Sequence, residues 1–99
     1  MPYNLEYHET AVVPFLEDEE RISTAMRTAL ERSLEEHLGQ FGDSFCLNED
    51  YRIPGTSYFR FALVLTDPES QKWRRFWVTV SDAAAQYGVL RVMLIEEAS

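Results

Sequence analysis

Two histidines, one cysteine and seventeen carboxylates are the side chains of this chain best able to ligate a metal, attack a carbonyl or relay a proton. Their spacing supports none of these. His8 and His37 are far apart, Cys46 has no second cysteine for a CxxC pair or a disulfide, and no Asp/Asn run matches a calcium loop. Gly39, Gly42, Gly55 and Gly88 stand singly at expected turns, whereas a phosphate cradle needs them clustered. Cys46 has no adjacent His to take its proton and reads as a small buried hydrophobe. Both histidines read as surface residues, His37 where a cation suits a helix C-terminus. Acid pairs such as Asp18–Glu19 and Glu96–Glu97 read as solvated charge. No residue is therefore assigned a catalytic, metal-ligating or cofactor-binding role, no cofactor is expected, and binding is favoured over catalysis.

The residue types that stand out are instead aromatics and arginines in the second half, and an alternating pattern positions them. Tyr58 to Thr66 and Lys72 to Ser81 are rich in branched and aromatic residues and flank Asp67-Pro68-Glu69-Ser70; Val89 to Glu96 follows a connector that ends at Gly88. Three strands in a meander are expected. Alternation puts Phe59, Phe61, Leu63 and Leu65 on one side, joined there by Phe76, Val78 and Val80 and by Leu90, Val92 and Leu94. The opposite side then carries Tyr58, Arg60, Ala62 and Val64, then Trp73, Arg75, Trp77 and Thr79, then Val89, Arg91, Met93 and Ile95. A four-residue loop pairs Thr66 with Gln71 and sets Arg60 opposite Trp77, while pairing Val80 with Leu90 sets Trp77 opposite Met93 and Thr79 opposite Arg91.

Trp, Tyr, Met and Arg on an outer sheet face are types enriched at protein interfaces and their hot spots. Tyr58, Arg60, Trp73, Arg75, Trp77, Arg91 and Met93 are accordingly the candidate partner-binding residues. Two plainer arrangements compete. Arginine stems can lie over the Trp rings, and the N-terminal segment with residues 40–56 can fold over this side as a second core.

The rest of the chain must cover the other side. Ile22, Met26, Ala29, Leu30, Leu34 and Leu38 form one helical stripe, which predicts a helix from about Asp18, as N-cap, to Leu38, closed by Gly39. Arg27–Glu31 and Glu31–Arg32 read as surface charge pairs. Tyr3, Leu5 and Tyr7 alternate with Asn4, Glu6 and His8, which predicts an N-terminal strand over 3–13. Between helix and meander, Gly42-Asp43-Ser44 reads as a turn, Phe45-Cys46-Leu47 as a short strand or a plug over the core, Tyr51-Arg52-Ile53 as an edge segment and Pro54-Gly55 as a type II turn.

Charge narrows the partners. The chain carries −8 overall, yet residues 1–50 hold twelve acids and three bases while residues 51–99 hold five acids and six bases. An acidic field repels phosphate backbones, which argues against nucleic acid, and favours a basic partner surface. Glu31, Glu35 and Glu36 on the helix are the candidate residues for such contacts. No apolar run reaches membrane-span length and no leader pattern opens the chain, so the cytosol is the expected compartment and no membrane partner is expected.

The expected architecture is a single α+β domain over 1–99: one long amphipathic helix on an antiparallel sheet of four to five strands. This β-α-β-β-β order is similar to the cystatin-like arrangement and, more loosely, to small acidic secretion chaperones, in topology only. The expected function is a non-catalytic protein–protein interaction module of adaptor, chaperone, immunity or inhibitor type, with a protein partner or a second copy in a homodimer. The alternatives are an acidic mimic of nucleic acid that inhibits a basic protein, and a small-molecule binder or enzyme with a pocket between helix and sheet.

Overall fold

A computed structural model describes residues 2–98. Strand β1 (Asn4–Tyr7) leads into a short helix α1 (Val13–Glu17), the principal helix α2 (Thr24–Leu34), a π-helical turn (Glu35–Gln40) and helix α3 (Gly42–Cys46). Strands β2 (Tyr58–Thr66), β3 (Trp73–Ser81) and β4 (Val89–Ala98) complete the chain.

The helical region divides where local hydrogen bonds decide. Pro14 sits in the first turn of α1, where its missing N–H costs nothing. Asp18 closes α1 through its own N–H to Phe15 O, so it ends the first helix and does not begin the long one. Ser23 is the N-cap of α2, its Oγ accepting from the Met26 N–H at 3.1 Å. The expected single helix from Asp18 to Leu38 is thus an eleven-residue helix continued by a wider turn. Gly39 lies buried inside that turn and accepts from the Tyr3 N–H at 2.6 Å, so it is not the closing residue.

Residues 42–46 are helical, correcting both the turn and the short strand expected there. A Cβ on Gly42 would sit 2.6 Å from Tyr3 Cδ2 and 2.9 Å from Leu90 Cδ1, so only glycine lets the N-terminal segment pack here. The Phe45 ring plugs the core, its centroid 4.6 Å from that of Phe61 and 6.3 Å from that of Phe59. Cys46 is half-buried, and burial pushes its thiol up to about 11, which keeps it protonated at neutral pH. The edge segment forms, with Arg52 bridging to Phe59, and Gly55 has φ +77° after Pro54 in the turn closed by Thr56 N–H to Ile53 O.

The four strands run in the order β1-β4-β3-β2. The meander β2-β3-β4 is antiparallel, whereas β1 pairs parallel to β4, with Leu5 beside Leu90. The sheet is therefore mixed, and the all-antiparallel arrangement expected from the cystatin-like order fails at its N-terminal strand. Burial marks one inner face: Ile22, Met26, Leu30, Leu34 and Leu38 pack with Val12 and Leu16 over Phe59, Phe61, Phe76, Val78, Val80, Leu90 and Val92. At the far end of that face Arg74 pairs with Asp67 at 3.1 Å and Glu97 at 2.7 Å and holds the Glu97 carboxyl below the usual carboxylate range.

Two registers differ from simple alternation. The hairpin loop spans Asp67–Lys72, so Thr66 faces Trp73 rather than Gln71, and Ala62, not Arg60, stands opposite Trp77. In β4 a bulge inserts Met93: Thr79 pairs with Leu94 but Val80 with Val92. Past the bulge the pleat reverses. Ile95 enters the core at 3% exposure, and Leu94, expected there, is turned outward at 37%.

The bulge yields a paired test by chemical denaturation. Ile95→Ala is expected to destabilise the protein by about 2–5 kcal/mol and Leu94→Ala by under about 1 kcal/mol. The reverse order would mean that β4 keeps strict alternation.

Candidate functional site

The face of the sheet away from α2 is built by outward residues in rows: Thr66–Trp73, Val64–Arg75–Ala98, Ala62–Trp77–Glu96, Arg60–Thr79–Leu94 and Tyr58–Ser81–Arg91. Glu6 of β1 extends the last row beside Arg91. Neither the N-terminal segment nor residues 40–56 cover it: β1 adds to the sheet edge, and Phe45 packs on the inner side. The second-core arrangement is thereby overturned. Trp73 is 80% exposed and Val64 51% at one end of this face, and Leu94 and Tyr58 are partly open in the rows toward the other end.

The arginines differ in what they meet. The Arg60 guanidinium lies 4.4 Å from the centroid of the half-buried Trp77 ring and 3.8 Å from the Glu96 carboxylate. It reaches Trp77 diagonally from its place opposite Thr79, so the expected Arg–Trp contact exists through a different register. Arg91 pairs with Glu6 at 2.9 Å. Arg75, exposed between Val64 and Ala98, makes no hydrogen bond or ion pair among the described residues and is free to meet an external carboxylate.

Six of the expected binding residues, Tyr58, Arg60, Trp73, Arg75, Trp77 and Arg91, thus share this face. Met93 departs from expectation. It is the half-buried bulge residue, and Glu96 takes the place opposite Trp77. Leu94 was missed because nothing in Val92-Met93-Leu94-Ile95 distinguishes an inserted residue from continuous alternation. Val64 was legible in the pattern as an outward residue, and the lengthened loop sets it beside Arg75.

Glu31, Glu35 and Glu36 belong to the helical layer and stand apart from the Trp/Arg rows. Glu31 accepts from Arg27 Nε at 3.2 Å. Burial, with Glu35 and Glu31 nearby, pushes the Tyr7 hydroxyl up to about 12. Glu35 and Glu36 are exposed on the π-helical turn. His8 serves the backbone, its Nδ1 accepting from the Ala11 N–H at 3.1 Å, and His37 Nδ1 lies 2.8 Å from Ser33 O. The Tyr3 hydroxyl donates to Asp43, which raises the Tyr3 hydroxyl to about 12.

Among the described residues no group of three or more His, Cys, Asp or Glu is arranged to hold a metal ion. The space between α2 and the sheet is filled by fully buried Met26, Leu30, Leu34, Phe59 and Phe76. A cleft of about 710 Å³ lies at the margin, between Pro14, Phe15 and Arg21 on one side and Leu94–Glu97 on the other. No family model, curated protein or solved structure matches the chain significantly.

Single-tryptophan variants test the placement. In dilute protein, Trp73→Phe leaves Trp77, expected to emit at shorter wavelength and to resist acrylamide; Trp77→Phe leaves Trp73, expected to be quenched nearly as freely as indole. Adding Arg60→Ala to the first variant should increase quenching of Trp77. Equal quenching of the two rings would contradict the face described.

Proposed function

We propose that this protein is a non-catalytic interaction module that binds a protein partner through the open face of its sheet. The observation that carries this reading is the exposure of Trp73, Val64, Tyr58 and Leu94 on one uncovered face that also holds the unpaired Arg75. Exposed aromatic and apolar side chains interspersed with arginine are the composition of docking surfaces, and water exclusion around such anchors supplies most of their binding energy. The central anchor is Trp77, held in place by Arg60, and Trp73 is the exposed ring two rows along the same strand, beyond Arg75.

The partner fits by charge as well. Arg75 receives a carboxylate from it, while Arg60 and Arg91 keep their own acids, Glu96 and Glu6, and are already neutralised. Desolvating an arginine without a partner charge is costly, so an acidic group at the Arg75 position is required for tight binding.

Affinity capture with three folded variants tests this. A partner retained by the wild type is expected to be lost by Trp73→Ala and Trp77→Ala, each weakening association by on the order of 2 kcal/mol, and retained by the pair Glu35→Lys and Glu36→Lys. Loss with the helix charges reversed and retention without the tryptophans would move the site to the acidic helix and defeat the proposal.

A further inference from the structure

Strand β2 is an edge of the sheet, and its outer backbone is divided in two. The Arg60 N–H donates to Tyr51 O and the Ile53 N–H to Tyr58 O, so the even-numbered residues direct their amide and carbonyl groups outward and the first part of the edge is capped. Past Arg60 the cap ends. Ala62, Val64 and Thr66 point the same groups at solvent, with no partner for them among the described residues, until the chain turns inward at Asp67, whose N–H donates to Lys72 O. The run Phe61-Ala62-Leu63-Val64-Leu65-Thr66 contains no charge, no proline and no bulge, the devices that ordinarily protect an edge.

We infer that this edge pairs with a second copy of itself, β2 against β2 antiparallel about a two-fold axis at Val64, to form a continuous sheet across two chains. The register follows from the free backbone. Three outward residues, with the middle one on the axis, match Val64 to Val64 and Ala62 to Thr66 in both directions, and saturate the amide and carbonyl groups of all three. Shifting the pairing toward Arg60 would run the second copy into that cap.

Side chains agree with this occupant. Strand pairing aligns uncharged residues with uncharged residues, so two chains of net charge −8 meet where neither presents a charge. On the open face the pairing continues two rows across the seam: Trp73 and Thr66 of one copy meet Ala62 and Trp77 of the other. Ala62 and Thr66 are small, which leaves room for the exposed Trp73 ring to lie across the join. The axis is perpendicular to the sheet, so both open faces remain on one side as a single extended surface. The inference stands apart from the proposed function: the edge can pair while the face binds nothing, and the reverse.

Sedimentation equilibrium reads the association, with the mass expected to rise from 11.5 kDa toward twice that value with concentration. Val64→Lys places two ammonium groups opposite one another on the axis and is expected to abolish the dimer with the thermal midpoint nearly unchanged, because Val64 is half-exposed in the single chain. Hydrogen exchange on the wild type gives a readout that needs no variant: the amides of Ala62, Val64 and Thr66 should become slow at high concentration and fast on dilution. A monomer at every concentration, a dimer that survives Val64→Lys, or protection at these amides only when another protein is added would each overturn the inference. Failure of Trp77→Ala to release a captured partner would leave it intact.

Discussion

Burial of a single helical stripe against one face of the sheet is the interaction on which the rest of the molecule depends. Met26, Leu30, Leu34 and Leu38 are fully buried, and side chains of this size contribute roughly 1.5–3 kcal/mol each when removed from water. α1 and α3 extend the same layer, with Leu16 and Phe45 closing the core beside α2. α1, α2 and α3 all pack on this inner side, and the outward residues of the sheet stay open among the described residues. The open face is a consequence of this one-sided coverage, and the free edge of β2 follows from its terminal place in the strand order.

Much of this was legible in the sequence, because alternation and helical period report burial directly. β2 and β3 fall within a residue of where their branched and aromatic runs place them, and the Ile22–Leu38 stripe does face the core. The failures have local causes. The acids Glu17–Glu20 suggested a helix start at Asp18, but the backbone turns there and the hydroxyl of Ser23 caps α2. Gly42-Asp43-Ser44 has turn composition, yet Gly42 is required by the close approach of Tyr3 and the segment is helical. Parallel pairing of β1 with β4 is a long-range choice that the short Asn4–Tyr7 run does not encode by itself.

The largest consequences for the site come from two small register shifts. A pleat has period two, so one inserted residue exchanges the faces of everything beyond it. Met93 supplies that residue in β4, bringing Leu94 and Glu96 to the open face and sending Ile95 to the core. In the hairpin, Gln71 at φ +60° belongs to a loop two residues longer than the Asp-Pro-Glu-Ser turn, which moves Arg60 two pairs along from Trp77 and keeps both on the same face. The length of the arginine side chain absorbs that shift, and the cation still lies over the ring. The expected cluster therefore survives in chemistry although its pairing differs.

Taken together, a covered face provides stability and an uncovered face provides a surface of exposed aromatics, Arg75 with no ion pair among the described residues, and two arginines held by their own carboxylates. The most direct measurement of this account is hydroxyl-radical footprinting of the dilute protein, free and bound to a captured partner. The account predicts that Tyr58, Val64, Trp73 and Leu94 react readily in the free protein and become protected together in the complex, while Phe59, Phe76 and Ile95 stay unreactive in both. Protection confined to the helical layer, or slow reaction of Trp73 and Leu94 in the free protein, would contradict it.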